Sequence, residues 1–299
     1  MNSFTILVDS SCDVPSDFLE EHGIRMLPIS YEFDGKEHSM GYWQEISGEE
    51  FYSKLRKGSV AKTSQTNLNA YGTTFAEYAE KGEDVLFLIL SSGLSASYSN
   101  ALVAVREVQE SYPDCKIFPI DTVSATSGIG LLSHLAVKKR AEGFSAEETA
   151  AFLEEKKHSC LGLFTVDDLM YLHRGGRLSK LSAVAGSVLG IKPVLNLSPI
   201  GTLALKDKAR SRKAALQLII SQIVRSIKPG TELDTVIITH TDCEEDARTL
   251  AGLLTDAVKV GNVIVMMMGP VIGAHLGPGA ITLIFEADMT RDEYEAKFY

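Results

Sequence analysis

The chain has 299 residues, a length that favours two domains over one. Hydrophobic residues make up 45% and charged residues 23%, as in ordinary soluble globular proteins, so a large core is expected. The net charge of −10 argues against a nucleic-acid-binding protein, which normally carries a basic surface. It also argues against stable adsorption to an anionic membrane and is compatible only with transient membrane contact.

Cysteine usage and hydropathy indicate a cytoplasmic protein. Cys12, Cys115, Cys160 and Cys243 form no C-x-x-C pair, which is typical of reduced thiols in the cytosol. The first residues carry Asp9 and lack the basic segment of a signal peptide. No apolar run approaches the ~18 residues that a membrane span requires.

In the first half, short apolar runs end in polar loops. Residues 4–8, 85–90 and 117–120 are predicted strands that run into the loops DSSCDVP, SSGLS and DTVSATSG. Helical apolar patterns follow, which predicts an N-terminal α/β domain (residues 1–160) with a doubly wound parallel sheet. Ligands bind beyond the carboxyl ends of the strands in such sheets, so all three loops are expected at one edge. The polar segment KTSQTN lies between two predicted helices and has no clear place in the sheet.

The second half, residues 161–299, has a different pattern and predicts an α/β domain with a mixed sheet. A strand and a helix end at the glycines of HRGGR, and two strands flank a turn at residues 199–201. A helix over 210–227 and a strand over 235–240 follow. After a further helix, two strands are joined by the glycine-rich segment PVIGAHLGPG. We expect a ligand to bind between the two domains.

The loop that begins at Ser91 places hydroxyl groups at the start of a helix, which suits an anion. The chain lacks the G-x-S-x-G pattern of a nucleophile elbow and the Walker phosphate loop, so no cofactor is predicted. A structural alternative is that Ser95 only caps the helix. In DSSCDVP, Asp9 and Asp13 are too few for a metal site, and we expect Asp9 and Ser10 to organise the strand end.

One histidine, His275, lies in the segment GPVIGAHLGPG, whose glycines and prolines indicate that the backbone closely approaches a neighbouring group. It either contacts a ligand in the interdomain cleft or is a loop histidine satisfied by backbone groups. The arginines of HRGGR and KAR are either an anion site or charges at helix ends.

Seven segments occur in one order along nearly the whole chain: DSSCDVP, KTSQTN, SSGLSASYSNA, DTVSATSGIG, YLHRGGRLS, GIKPVLNLSPIGTLALKDKAR and GPVIGAHLGPGA. In these motifs, from about residue 5 to 286, the chain resembles the DegV family of bacterial fatty-acid-binding proteins. It departs from the family pattern at Thr66, where proline is usual, and at Ala96, where glycine is usual.

The resemblance implies a carrier rather than an enzyme. It implies that one long-chain fatty acid lies between the domains and is presented to a fatty acid kinase, which forms an acyl phosphate for phospholipid synthesis. Matched motif by motif, Thr63, Ser95 and His275 hold the carboxylate. The resemblance also implicates Gly93 and Leu94 in backbone contacts, Arg177 near the pocket mouth and Arg210 in kinase docking.

Two alternatives stay open. One is a hydrolase or phosphotransferase that uses Ser95 and His275, and the other is a binding protein for a different small anion. For a fatty acid, hydroxyl and imidazole donors would hold the carboxylate without a lysine. The tail would then need an apolar tunnel, for which the segment at 182–195 and the methionines at 266–268 are candidates.

Overall fold

The computed structural model describes residues 4–39, 43–64, 68–177 and 190–299. The strands are β1 (Thr5–Asp9), β2 (Arg25–Leu27), β3 (Tyr31–Phe33), β4 (Lys36–His38), β5 (Ala61–Thr63), β6 (Val85–Ile89), β7 (Ile117–Asp121), β8 (Cys160–Thr165), β9 (Lys192–Leu197), β10 (Leu203–Ala209), β11 (Glu232–His240), β12 (Lys259–Met267) and β13 (Ile281–Glu286). The helices are α1 (Ser16–Glu21), α2 (Gly48–Arg56), α3 (Leu68–Glu80), α4 (Ser97–Ser111), α5 (Ser127–Ala141), α6 (Ala146–Lys156), α7 (Met170–Arg174), α8 (Arg212–Ser226), α9 (Glu244–Ala257), α10 (Pro270–Leu276) and α11 (Arg291–Phe298).

The first sheet is parallel, in the order β2-β1-β6-β7. Successive side chains of a strand point to opposite faces. Ile6 and Val8 therefore pack in one core with Ile129 of α5, whereas Leu7 packs in another with Tyr71 and other residues of α3 and α4. Helices on both faces make the sheet doubly wound, as predicted.

The second sheet is mixed, in the order β10-β9-β8-β13-β11-β12, with β11 and β12 parallel and the other neighbours antiparallel. Helices α8, α9 and α11 cover one face. Helix α5 packs against the other face and also against the parallel sheet, so it lies between the two sheets. The predicted mixed sheet is confirmed.

The strands of the parallel sheet all precede Cys160, and those of the mixed sheet all begin at or after it. The division at residue 160 into two domains stays a prediction. Within the described ranges, no helix combines the length and the apolar character needed to cross a membrane.

A third, small antiparallel sheet (β4-β3-β5) was not predicted. Its buried face carries Tyr31 and Phe33, which pack with Phe51 and Tyr52 of α2. In this sheet Thr63, the last residue of β5, pairs with Tyr31. The sheet thus gives the KTSQTN segment its place and sets the position of Thr63.

The segment that joins β12 and β13 is a helix, α10, and not the loop that its glycines suggested. Pro270 is its first residue, where the missing N–H costs nothing, and Gly277, with φ of 70°, ends it. Gly273 is required by packing, since a Cβ there would lie 2.1 Å from the Tyr52 hydroxyl oxygen. His275 therefore lies in the last turn of a helix.

Candidate functional site

The three predicted polar loops meet at the carboxyl edge of the parallel sheet. Asp9, at the end of β1, accepts hydrogen bonds from the backbone N–H groups of Ser11 (2.9 Å) and Leu90 (2.8 Å). The backbone N–H of Thr126, in the third loop, donates to the carbonyl of Ser11 (2.9 Å). The Ser10 hydroxyl accepts from the N–H of Ile29 (2.7 Å). Asp9 and Ser10 thus organise the strand end, as predicted from the sequence.

Beyond this edge lies a cavity that encloses about 900 Å³ of space between protein atoms, including its open mouth. Most of the described wall is apolar, with contributions from the mixed sheet, from the loops at the carboxyl edge of the parallel sheet and from α10. The apolar lining includes Leu90, Phe164, Leu172, Leu197, Ile272 and Ile284. Among the described residues, the polar lining consists of Thr63, Ser64, Ser95, Thr126, Arg177, His275 and Thr282.

At one end of the cavity, the Thr63 Oγ1 atom lies 2.8 Å from Nε2 of His275. The small third sheet supplies Thr63 and α10 supplies His275, so this contact joins residues far apart in sequence. Burial, and to a smaller extent the neighbouring charge of Arg177, lower the pKa of His275 to about 4. The imidazole is therefore neutral at physiological pH.

The surroundings of the imidazole favour one tautomer. His275 Nδ1 is buried without a hydrogen-bond partner among the described residues, and a Cβ at Gly175 would lie 2.4 Å from it. A buried N–H without a partner is rarer than a buried acceptor without one, so the proton belongs on Nε2. In that tautomer Nε2–H donates to Thr63 Oγ1, and the Thr63 hydroxyl keeps its own proton for a ligand.

The serine loop reaches the same end of the cavity. The Ser95 Oγ atom accepts from the N–H of Ser97, the first residue of α4, at 3.2 Å and lies 2.9 Å from the Ser97 hydroxyl oxygen. Ser95 therefore lines the cavity and bonds to the start of α4, but the N-cap residue of that helix is Ala96, so the simple capping role is wrong and the contact of Ser95 with a ligand stays a prediction. Leu94 also lines the cavity, and its predicted backbone contact with the ligand stays a prediction.

Gly93 is outside the described lining, and its predicted contact with the ligand stays a prediction. A Cβ at this position would lie 2.8 Å from the carbonyl oxygens of Ile200 and Gly201, in the turn between β9 and β10. The Ser91 hydroxyl donates to the Gly201 carbonyl at 2.9 Å. The glycine is thus explained by the close packing of this turn on the serine loop.

Arg177 adds a cation to this end of the cavity. Its Nε donates to the Leu94 carbonyl at 3.2 Å, and Nη1 donates to the Gly175 carbonyl. Burial lowers the pKa of its guanidinium, which nevertheless stays charged. The sequence argument for purely neutral donors is therefore incomplete, because a half-buried guanidinium lines the same wall as His275.

The geometry does not favour a nucleophile and base. No hydrogen bond joins Ser95 to His275 in the described part of the chain: His275 contacts Thr63, and Ser95 contacts Ser97. Nor does a carboxylate there orient the ring through Nδ1. Arg210 is exposed, follows β10 directly and is outside the cavity lining.

The predicted tail-lining segments are only partly open to comparison. Of the segment at 182–195, residues 182–189 lie outside the described residues, and the described remainder is absent from the lining. None of the candidate methionines at 266–268 lines the cavity. Met267 packs instead at Gly48 of α2, and Met268 is buried in the core.

Sequence reasoning missed a second polar group in the lining, formed by Thr126 and Thr282. Thr126 has φ of 51° and ψ of −131°, a conformation that non-glycine residues rarely adopt. The Thr239 Oγ1 atom lies 3.2 Å from that of Thr126 and 2.5 Å from that of Thr282. Thr126 also donates to the carboxylate of Asp13. The only available sequence signal was the position of DTVSATSG among the loops at the sheet edge.

The chain is similar to known proteins over almost its whole length. A model of the DegV family matches residues 3–288. A DegV domain-containing protein of Clostridium perfringens is 36% identical over 288 residues, which are 96% of this chain and 99% of that relative.

Two solved structures extend the similarity to the fold. A Thermotoga maritima protein described as having a fatty acid binding function is 30% identical, with a TM-score of 0.83, over 96% of this chain and 100% of that chain. A fatty-acid-binding DegV family protein of Thermus thermophilus is 27% identical, with a TM-score of 0.86, over 95% of this chain and 99% of that chain. The family model, the relative and the shared two-domain α/β fold agree with the predicted resemblance, and the chain belongs to the DegV family.

Proposed function

We propose that this protein binds one long-chain fatty acid in the cavity between its two halves, residues 1–160 and 161–299. The observation that carries the proposal is an apolar cavity with donors gathered at one end. The side chains of Thr63, Ser95, Arg177 and His275 form that end, which we call the head site. The fatty acid binding described for the Thermotoga and Thermus proteins supports the same ligand class.

A fatty acid suits a wall of this kind because its two ends have opposite requirements. Burial of a methylene contributes about 0.8 kcal/mol, so ~14 methylenes contribute roughly 11 kcal/mol before the costs of ordering the ligand. Burial of the carboxylate costs several kcal/mol unless donors meet it. At the head site, the Thr63 and Ser95 hydroxyls and the Arg177 guanidinium supply donors, and His275 holds Thr63 in a donating orientation.

The proposed role is that of a cytoplasmic carrier and not of an enzyme. The bound carboxylate would be presented to a fatty acid kinase, which forms the acyl phosphate used in phospholipid synthesis. The head site supports this role because it holds a carboxylate without a nucleophile and base aligned to attack it. Loading and delivery would then need only transient contact with a membrane.

Native mass spectrometry of protein purified from cells tests the ligand. We expect one additional mass per chain that matches a long-chain fatty acid. His275→Ala should lose most of this ligand, and after lipid is removed from both proteins its circular dichroism and thermal unfolding should stay close to those of the parent. A parent protein that carries no lipid, and that takes up no palmitate when it is offered, would contradict the proposal.

The kinase presentation has a separate test in a reconstituted reaction with a fatty acid kinase, ATP and the loaded protein. Arg210 is exposed and outside the cavity, so Arg210→Glu should leave palmitate binding unchanged. We expect it to lower acyl phosphate formation severalfold, because a reversed charge disturbs electrostatic docking. Lys208→Glu, two residues earlier and also exposed, is a matched control for the change of net charge. Equal turnover by the parent and Arg210→Glu would remove Arg210 from the docking surface.

A further inference from the structure

Asp13 is a buried carboxylate that the proposed function does not yet use. It is 1% exposed, and no ion pair with it is present in the described ranges. An isolated buried carboxylate is costly, so its contacts call for an explanation. Oδ1 accepts from the backbone N–H of Gly269 at 2.7 Å, and Oδ2 accepts from the Thr126 hydroxyl.

The Gly269 contact lies at the start of α10, the helix that carries His275. Gly269 is the N-cap residue and is followed by Pro270, which has no N–H of its own. With a rise of 1.5 Å per residue, His275 lies roughly 9 Å further along the same helix. A shift of the N-terminal end of so short a helix moves the imidazole at its other end.

The other described anchors of α10 are neutral. The Tyr52 hydroxyl donates to the carbonyl of Met268 at 2.7 Å, and the Thr241 hydroxyl donates to the carbonyl of Gly277 at 2.6 Å. Neither group changes charge at physiological pH. Among these contacts, Asp13 therefore supplies the anchor whose strength depends on protonation.

The direction of the hydrogen bonds between Asp13 and the nearby hydroxyl groups also depends on its charge. An ionised carboxylate only accepts, so Thr126 must donate to it and can then accept from Thr239. Thr239 in turn can accept from Thr282. A protonated Asp13 donates instead, which turns Thr126 around. The arrangement of Thr126 and Thr282 in the cavity wall therefore depends on the same proton.

Resting on the proposed function, we infer that Asp13 is a positioning residue for the head site. It holds the start of α10, and thereby His275 beside Thr63, through the Gly269 N–H. The hold on the bound fatty acid then follows the ionisation of Asp13, with the ionised form holding more tightly, because a hydrogen bond to a charged acceptor is the stronger kind.

Asp13 titrates in a pH range in which the folded protein can be studied. Burial raises the pKa of Asp13 to about 7, against the lowering effect of the Thr126 and Gly269 hydrogen bonds. The ionisable neighbours on its own loop are Asp9 and Cys12, whose pKa values burial also raises. Asp13 is also linked to three other elements. Thr126, the N-cap residue of α5, donates to its carboxylate and links it to Thr239 of β11, and the N–H of Gly269, the N-cap residue of α10, donates to its other oxygen.

As pH rises toward 7, ionisation of Asp13 should change the free energy of unfolding and the retention of the ligand in opposite directions. In the unfolded chain the Asp13 carboxyl ionises near 3.8, so between there and about 7 only the folded state keeps the proton. The contribution of Asp13 to the free energy of unfolding therefore falls as pH rises toward 7 and is constant above it. Retention of the ligand should instead rise through the same range, which separates it from acid unfolding.

The test compares the parent with Asp13→Asn, an isosteric variant that cannot ionise. Each protein is loaded with tritiated palmitate, and its release into phosphatidylcholine vesicles is timed. The ratio of the two release rates at each pH cancels the titration of the free acid. We expect equal rates near pH 6 and roughly fivefold faster release by Asp13→Asn near pH 8, the difference between a charged and a neutral acceptor.

Asp9→Asn is the matched control, because Asp9 is equally buried in the same loop but bonds Leu90 and Ser11 rather than α10. Both Asp9 oxygens accept from backbone N–H groups, so the amide nitrogen of this variant faces an N–H at every pH. Its release rates should therefore differ from those of the parent by a factor that does not change near pH 7. Nuclear magnetic resonance supplies a direct readout. In the parent without ligand, the Gly269 amide and the His275 ring resonances should shift together near pH 7, although the ring itself titrates near 4.

The outcomes separate the two proposals. If the parent binds no palmitate, the proposed function fails and this inference falls with it. If the parent binds palmitate but the ratio to Asp13→Asn is constant over pH, only the role of Asp13 is overturned. Should Asp13→Asn fail to fold, the parent and Asp9→Asn decide: resonances of Gly269 and His275 that do not move near pH 7 overturn the inference, and a joint shift supports it.

Discussion

Two regions of the cavity carry threonine hydroxyls, and they use them differently. At the head site, Thr63 contacts a neutral histidine, which leaves its hydroxyl proton for a ligand. Around Asp13, the hydroxyls of Thr126, Thr239 and Thr282 bond to one another and to the carboxylate. The same side chain thus serves binding where its donor is spare and internal structure where its donor is consumed.

The two groups of threonines also differ in how deeply they are buried. Thr63 is half-buried, whereas Thr239 and Thr282 are 0% and 3% exposed. A buried polar group that loses its partner has no water to replace it and so costs stability. A half-buried donor can be solvated when the cavity is empty, so its loss is felt when the ligand binds.

One pair of identical substitutions tests this comparison most strongly. Thr63→Val removes a donor to a charged ligand, and we expect palmitate release to accelerate roughly tenfold to a hundredfold with little change in unfolding. Thr282→Val removes a hydroxyl from the buried chain and should lower the free energy of unfolding by about 1–2 kcal/mol. Its palmitate release should stay within roughly twofold of the parent, since the head site is intact.

Urea unfolding of delipidated protein measures the stability of each variant, because bound ligand would add stability of its own. Release into vesicles measures the hold on palmitate. If Thr282→Val released palmitate as fast as Thr63→Val, the division of the cavity into a binding end and a structural end would be wrong. The same conclusion would follow if Thr63→Val unfolded as easily as Thr282→Val.

The parts of the molecule that the sequence predicted are those with a local signal. The strands of the parallel sheet are continuous apolar runs, and each ends in a loop of hydroxyl and carboxylate residues. Because parallel strands end at one edge, the meeting of Asp9, Leu90 and Thr126 followed from topology. The flanking glycines and prolines singled out His275 as one of two alternatives, whereas Thr63 came from motif resemblance alone.

Elements with a weak local signal were missed. Strands β3, β4 and β5 have three residues each, too short to show an alternating pattern. Helix α10 has seven residues, with Gly273 inside it and Gly269 and Gly277 at its ends, and glycine weakens any helical prediction. Both elements pack against α2, where Tyr52 meets Gly273 and Phe51 meets the small sheet, and such tertiary contacts leave no local sequence signal.

Residues joined across long sequence separations also lacked a local signal. The contact between Thr63 and His275 spans 212 residues, and that between Asp13 and Gly269 spans 256. Nothing in the flanking sequence of Asp13 indicates a partner in α10. The loop prediction assigned Asp9 and Ser10 to the strand end and gave Asp13 no role beyond the rejected metal site.

A substitution at Gly175, with a smaller expected effect, tests whether His275 positions Thr63 in the head site. Gly175→Ala places a Cβ 2.4 Å from His275 Nδ1, closer than atoms can pack, so the imidazole must move away from Gly175. The backbone of Gly175 is helical, with φ of −72°, so alanine causes no backbone strain. We expect the contact with Thr63 to lengthen and palmitate release to accelerate by about threefold to tenfold, the cost of weakening one hydrogen bond.

Gly252→Ala is the control for this change, because a Cβ at that exposed position in α9 meets nothing within 4 Å. It should leave release unchanged and stabilise the fold by roughly 0.5–1 kcal/mol, as alanine does in a helix. Release rates and the His275 ring resonances should be measured together for both variants. If Gly175→Ala shifted the ring resonances but left palmitate release at the parent rate, His275 would not hold Thr63 in place for the ligand. The spare Thr63 donor would then have to be oriented by the ligand itself, and the binding end of the cavity would be adaptable rather than preorganised.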